Sequence, residues 1–243
     1  ESEVKEKLFK NPQKSYTKGL LFARPPLEKR LKTLPTISDF NSGNFIEKII
    51  TEKERKEKHK VLYSKLPILE IIDLEKKFFK QTFLFKKKKF FHAIKSFNFK
   101  LYKGETLGLV GESGCGKSTL GRAIIHLDPP SSGKIIYNGK LLTKTDFSNS
   151  NNLRKEIQFI FQDPHSSMNP IKTIGDSIME VLKVHNILKT RKDRKKRVND
   201  LLDKVGLSNY YFKRHPHELS GGQKQRAVIA RALATNPKVI ICD

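Results

Sequence analysis

No stretch of this 243-residue sequence approaches the about 18 consecutive apolar residues that spanning a bilayer requires, and no short apolar run with a small-residue cleavage site lies near Glu1. Any membrane role is therefore expected to come through a partner. Cysteine is scarce as well: Cys115 and Cys242 are the only two, and they form no spaced framework. That excludes a disulfide scaffold and a cysteine metal cluster, and it reads as two free thiols in a reducing cytosol. Acidic residues are outnumbered, 25 Asp and Glu against 49 Lys and Arg, for a formal charge of +24. Such an excess attracts nucleic acid or anionic lipid when it is gathered on one face. Here the lysines are spread along the chain, with local runs at 86–89 and 191–197, and inside those runs no aromatic residue interleaves with them as in a base-stacking platform. The charge reads as solvated surface. What is present, 37% hydrophobic and 30% charged residues, suits a soluble globular protein.

Residues 1–40 hold Asn11-Pro12, Tyr16-Thr17, Pro25-Pro26 and Pro35 with one short apolar patch at 19–23, too little to bury a core of their own. Residues 41–60 become densely charged, as in Glu52-Lys53-Glu54-Arg55-Lys56-Glu57-Lys58, which reads as a linker or an exposed helix. A second unit begins near Leu66. The β-branched run 68–74 predicts a strand, 78–91 alternates aromatics with lysines and gives no clear element, and 105–110 predicts a short apolar strand entering a glycine-rich loop. Leu120, Ile124 and Leu127 set a helix over 118–127, and Asn138-Gly139 after 134–137 signals a hairpin. A strand is expected at 157–161. Helix is expected over 174–205, with the stripe Val198, Leu201, Leu202 and Val205, then at 223–234, before a buried strand at 238–242. Strands alternating with helices predict an α/β fold with a mostly parallel sheet and a helical insert.

The central motif is Gly111-Glu112-Ser113-Gly114-Cys115-Gly116-Lys117-Ser118, followed by Thr119, which matches G-x-x-x-x-G-K-[ST] at every fixed position where strand passes to helix. Glycines let backbone N–H groups turn inward around phosphate oxygens, and the following helix start adds partial positive charge. Lys117 then reaches the β- and γ-phosphates and the Ser118 hydroxyl can ligate Mg²⁺. An accidental glycine turn does not account for the match in this context. Far downstream, Leu219-Ser220-Gly221-Gly222-Gln223, with Gln225-Arg226 and Ala230-Arg231-Ala232-Leu233 behind it, sets a serine and two glycines at another helix start, again an anion-binding geometry.

These residues resemble the ABC ATPase family over about residues 66–243, and most of all the peptide- and nickel-importer ATPases. The stretches that carry the resemblance are Gly104-Glu105-Thr106-Leu107-Gly108-Leu109-Val110 running into the phosphate loop, Phe161-Gln162-Asp163-Pro164 with Asn169-Pro170, and His215-Pro216-His217-Glu218 before the signature. The resemblance implies a P-loop NTPase fold with an antiparallel β subdomain and a helical subdomain. It implies ATP and Mg²⁺ as ligands. It gives Ser220, Gly221, Gly222 and Gln223 the γ-phosphate held by an opposing nucleotide-binding domain. Gln162 resembles the glutamine that contacts Mg²⁺ or the attacking water and couples to membrane subunits. Asp243 resembles the metal-associated Walker B carboxylate, and Phe78 the aromatic that stacks on adenine, with Phe79 an adjacent competitor.

The implied function is ATP hydrolysis driving transport of a small solute, of peptide class, through separate permease subunits at the cytoplasmic face of the inner membrane. A soluble ABC ATPase acting on ribosomes or nucleic acid is the rival reading, carried by the +24 charge. No specific nucleic acid is expected. Asn11-Pro12, Tyr16-Thr17 and Leu20-Leu21 resemble the C-terminal extension of importer ATPases, although Lys14 or Ser15 stands where the subfamily has histidine. The expected layout is an extension of a preceding ATPase half over 1–40, a charged linker over 41–65 and a nucleotide-binding domain over 66–243. That domain is expected to be truncated at its C-terminus and inactive alone, since the family's catalytic glutamate and switch histidine would follow Asp243.

Overall fold

Local sequence signals account for most elements of the computed structural model, which describes residues 4–80, 89–164 and 166–243. Residues 86–88 of the lysine run and 81–88 of the aromatic and lysine stretch lie outside the described residues. The chain divides into two compact units, Glu1–Lys65 and Leu66–Asp243.

Among its described residues the first unit has four helices, α1 (Lys5–Lys10), α2 (Ser15–Phe22), α3 (Ile37–Ser42) and α4 (Glu52–Tyr63). Its apolar centre is small: the Phe22 ring packs on Phe40 at 5.6 Å and edge-on to Phe45 at 5.7 Å. Caps rather than burial start its later helices. Thr36 and Asp39 form a capping box on α3, and Thr51 and Glu54 do the same on α4. The charged run of the sequence is this fourth helix, and none of its residues is buried.

The second unit opens with β1 (Leu69–Lys80) and β2 (Lys89–Leu101), then α5 (Lys117–Ile124), β3 (Ser132–Tyr137) and β4 (Lys140–Leu141). These strands form an antiparallel sheet in the order β2-β1-β3-β4. Asn138 and Gly139, at φ 48° and 77°, make the tight β3–β4 turn, the left-handed pair a two-residue hairpin needs. Short helices α6 (Lys144–Asn149) and α7 (Asn151–Glu156) lead into β5 (Ile157–Ile160). Helices α8 (Ile174–Val184), α9 (Arg191–Lys204) and α10 (Gly221–Leu233) follow, and β6 (Val239–Cys242) closes the order. Strands β5 and β6 pair in parallel from Ile157 opposite Val239 to Ile160 opposite Cys242.

Two cores result. One gathers Leu69, Ile71, Leu74, Leu120, Ile124, Ile135, Ile157 and Val239 between the sheets and α5. The other lies among α8, α9 and α10, around Ile174, Ile178, Leu182, Val198, Leu201 and Leu202. Each such fully buried aliphatic side chain contributes about 1.5–3 kcal/mol, so the helical core stands on its own packing. The expected stripe of α9 is there, while Arg191, Lys192, Lys195 and Lys196 of the basic run lie on its exposed side.

Residues 105–110 depart from the expected strand. They pair with no strand among the described residues, and Leu107, Leu109 and Val110 are 49%, 44% and 94% exposed. The stretch is apolar, but an apolar pattern does not itself supply a ladder partner, and the parallel sheet of the described residues holds β5 and β6 alone. Parallel pairing among the described residues is thus confined to β5 and β6, beside a larger antiparallel sheet.

Candidate functional site

The loop before α5 is shaped by its glycines. Gly114 and Gly116 sit at φ 81° and 101°, the left-handed region that side chains avoid. At Gly116 space is closed too, because a Cβ there would lie 2.4 Å from the Ala93 carbonyl oxygen of β2. The loop is thereby pressed onto β2 and folds around one ammonium group. Lys117 Nζ donates to the carbonyl oxygens of Gly111 at 2.8 Å and Glu112 at 2.7 Å, and lies 3.5 Å from Cys115 Sγ. Gly116 caps α5 without a side-chain acceptor, so the first amides of the helix keep their positive end free of protein oxygens from a cap.

The Ser118 hydroxyl on the first turn of α5 donates to Asp243 Oδ1 at 2.7 Å. Asp243 is delivered by β6, whose parallel pairing is prolonged by Asp243 N–H donating to the Ile160 carbonyl at 3.0 Å. The structure therefore joins residues that the sequence separates by 125 positions. Gln162 leaves the same end of the parallel pair, two residues past the end of β5, and is exposed. Carboxyl ends of parallel strands are where open α/β sheets bind ligands.

Phe78 lies on β1 opposite Phe91, with Lys76 Nζ 5.0 Å from its ring centroid and 39% of the residue exposed. Its competitor Phe79 is 65% exposed and packs on Phe90 at 4.9 Å. Phe78 is the more sheltered of the two, and its strand partner stands two residues from Ala93, where the loop abuts β2.

Ser220 caps α10. Its Oγ accepts from Gln223 N–H at 3.3 Å, while Gln223 Oε1 accepts from Ser220 N–H at 2.9 Å. Gly221 and Gly222 face open space, with no atom within 4 Å of where a Cβ would stand. Among the described residues, no hydrogen bond or ion pair links these signature residues to the phosphate loop. The turn before them is braced by Glu218, which accepts from His215 N–H at 2.6 Å and pairs with Arg214. That backbone hydrogen bond, followed by the Arg214 contact, holds the Glu218 carboxyl below its ordinary pKa. Motif matching did not reach Arg214, the backbone of Ala93, or Tyr211, whose hydroxyl accepts from Gln223 Nε2 at 2.7 Å. Arg214 meets Glu218 only four residues along the chain, whereas the Ala93 backbone and Tyr211 carry no local signal because each acts through a fold contact.

Cys115 is exposed in the loop, as is Cys242 next to Asp243. In a Cys242→Ser background, alkylation of the remaining thiol is expected to block nucleotide binding, since its Sγ shares the loop with Lys117 Nζ. MgATP should slow the reaction. Equal alkylation rates with and without nucleotide would place Cys115 outside the site.

Comparison with known proteins agrees with this geometry. The ABC transporter family pattern matches residues 94–243. The glutathione import ATP-binding protein GsiA of Escherichia coli K12 is 43% identical across 98% of this chain, and that of Pectobacterium atrosepticum is 42% identical across 97%. The chain spans 38% and 37% of the length of those relatives. Among solved structures, the dimeric post-hydrolysis state of the ATP-binding cassette MJ0796 bound to ADP and Pi superposes with a TM-score of 0.62 at 28% identity, over 72% of this chain and 73% of that one. CbiO1 of Clostridium perfringens, part of the ABC transporter complex cbiONQ, gives 0.58 at 28% identity, over 74% and 66%. Family pattern, relatives and folds coincide on one assignment: this chain belongs to the ABC transporter family, with the ATPase-cassette α/β fold.

Proposed function

We propose that this chain binds ATP with Mg²⁺ between the phosphate loop and Asp243, and that the protein hydrolyses it to power import of a peptide-class solute through separate membrane subunits. The observation that carries the reading is the Ser118–Asp243 hydrogen bond of 2.7 Å beside the Lys117 ammonium. A hydroxyl and a carboxylate set side by side are hard oxygen donors of the number Mg²⁺ takes from protein when phosphates complete its shell. When bound, the ion would neutralise charge on the β- and γ-phosphates. Lys117 would exchange its loop carbonyls for phosphate oxygens, and the amides at the start of α5 would point at the same anion. Phe78 would stack on adenine and Gln162 would orient the attacking water. Work of this kind is positioning and charge neutralisation rather than covalent chemistry.

Signature residues Ser220, Gly221 and Gly222 face outward in this reading because they serve a nucleotide held by a second cassette. MJ0796, a dimeric relative in fold, supports that arrangement. The solute class follows from relatives named for import of glutathione, a tripeptide. No helix among the described residues is long and apolar enough to cross a membrane; the place as a peripheral subunit at the cytoplasmic face follows from the likeness to import ATP-binding proteins.

Equilibrium binding of a fluorescent ATP analogue to the intact protein tests the metal placement. Mg²⁺ is expected to tighten binding about tenfold in the wild type, and Ser118→Ala or Asp243→Asn should remove that gain, each costing on the order of 1.4 kcal/mol. An unchanged Mg²⁺ effect in both variants would defeat it. Copurification with membrane subunits, and ATPase stimulation by peptide rather than nucleic acid, tests the rest.

A further inference from the structure

Gln223 spends both ends of its amide inside the protein: Oε1 accepts from Ser220 N–H at 2.9 Å and Nε2 donates to Tyr211 Oη at 2.7 Å. Its own N–H donates to Ser220 Oγ at 3.3 Å. The side chain that closes the capping box of α10 is therefore held in its rotamer from outside the helix, by one hydroxyl.

That hydroxyl is itself rigidly placed. Tyr211 belongs to the short 3₁₀ turn Asn209–Lys213, and its ring packs on the helical core and edge-on to Tyr210 at 5.6 Å. The next residue, Phe212, lies so close on α8 that a methyl group at Gly175 would stand 2.6 Å from its ring. The turn is also tied to α8 by Ile174 N–H donating to the Arg214 carbonyl at 2.8 Å. Core packing of α8 thus fixes the turn, the turn fixes the Tyr211 hydroxyl, and the hydroxyl fixes Gln223.

We infer that Tyr211 is a positioning residue for the signature motif, acting through Gln223, and that Gln223 serves as a brace within its own chain. With the Gln223 amide committed at both ends, Ser220 Oγ and the amides of Gly221 and Gly222 remain as the groups offered outward, and their geometry depends on a residue outside the motif. The consequence for turnover rests on the function proposed above; the brace itself does not.

The test compares Tyr211→Phe, which removes one oxygen and keeps the ring, with Gln223→Leu and the double variant in the intact protein. Amide exchange at Ser220 and Gln223 should rise about fivefold in Tyr211→Phe, the equivalent of one neutral hydrogen bond, while exchange in the rest of α10 stays unchanged. The kcat for ATP should fall by a similar factor with KM within about twofold, because the loss is in placement and the phosphate loop is untouched. The double variant should be no slower than Gln223→Leu, since a residue acting only through another adds nothing once that one is gone. Unchanged exchange at Ser220 and Gln223, additive losses in the double variant, or a general rise of exchange across α8, α9 and α10 would each overturn the inference. If the wild type shows no Lys117-dependent ATPase, the functional proposal fails, and the exchange arm alone decides the brace.

Discussion

Lys117→Ala in the intact protein is expected to lower ATP affinity by at least about 100-fold and to abolish turnover at this site. The ammonium lies inside the loop, on hydrogen bonds of 2.8 and 2.7 Å to two loop carbonyls, and has only to exchange these for phosphate oxygens. Charge-assisted contacts to phosphate are worth about 1.5–3 kcal/mol each, and losing two of them amounts to roughly 3 kcal/mol or more, a factor of about 100 upward. Stability should hardly change. Lys117 is only partly buried, and water can solvate the carbonyls of the exposed residues Gly111 and Glu112 once the ammonium is gone. Photolabelling with an ATP analogue, read beside thermal melting, separates the two effects. Near-normal labelling of Lys117→Ala would refute the assignment.

Gly116→Ala is expected to fail in the opposite way, by damaging the fold around the site. An L-residue at φ 101° costs about 1–3 kcal/mol in strain. The added Cβ also meets the Ala93 carbonyl oxygen at 2.4 Å, a backbone atom in β2 that cannot turn aside. Together these should destabilise the second unit by roughly 3 kcal/mol and lower its melting temperature by about 6–12 °C, with nucleotide binding lost as the loop lifts from β2. Gly221→Ala is the control. It has no positive φ and open space around it, so its melting temperature should stay within about 2 °C of the wild type. A Gly116→Ala protein that melts like wild type would show that the loop can leave β2 at little cost.

These two glycines show where sequence reading reached and where it stopped. The phosphate loop, the helix behind it, the Asn138-Gly139 hairpin, the α9 stripe and the signature helix were legible because each is a local pattern. Spacing alone dictates which backbone must turn, which face must be buried and which helix start lacks a cap. Residues 105–110 had as apolar a pattern as the strands that form, yet they pair with no strand among the described residues, since pairing depends on where the fold carries the segment and not on its local pattern. Family resemblance supplied Gln162, Phe78 and Asp243 as site candidates, but the meeting of Asp243 with Ser118 across 125 positions exists only because β6 pairs with β5 in one register. Tyr211 is the extreme case. Nothing around it in the sequence distinguishes its hydroxyl from that of Tyr210, and only the folded turn, which packs Tyr211 on the helical core and leaves Tyr210 exposed, decides which of the two meets Gln223. The sequence by itself determined the chemistry on offer, an ammonium and a hydroxyl at one glycine-bounded helix start and a serine at another, because those properties are carried by neighbours along the chain. Tertiary structure alone decided which carboxylate, which backbone carbonyl and which tyrosine hydroxyl those groups meet, because hydrogen bonds and close contacts act over a few ångströms and only folding brings distant residues within that range.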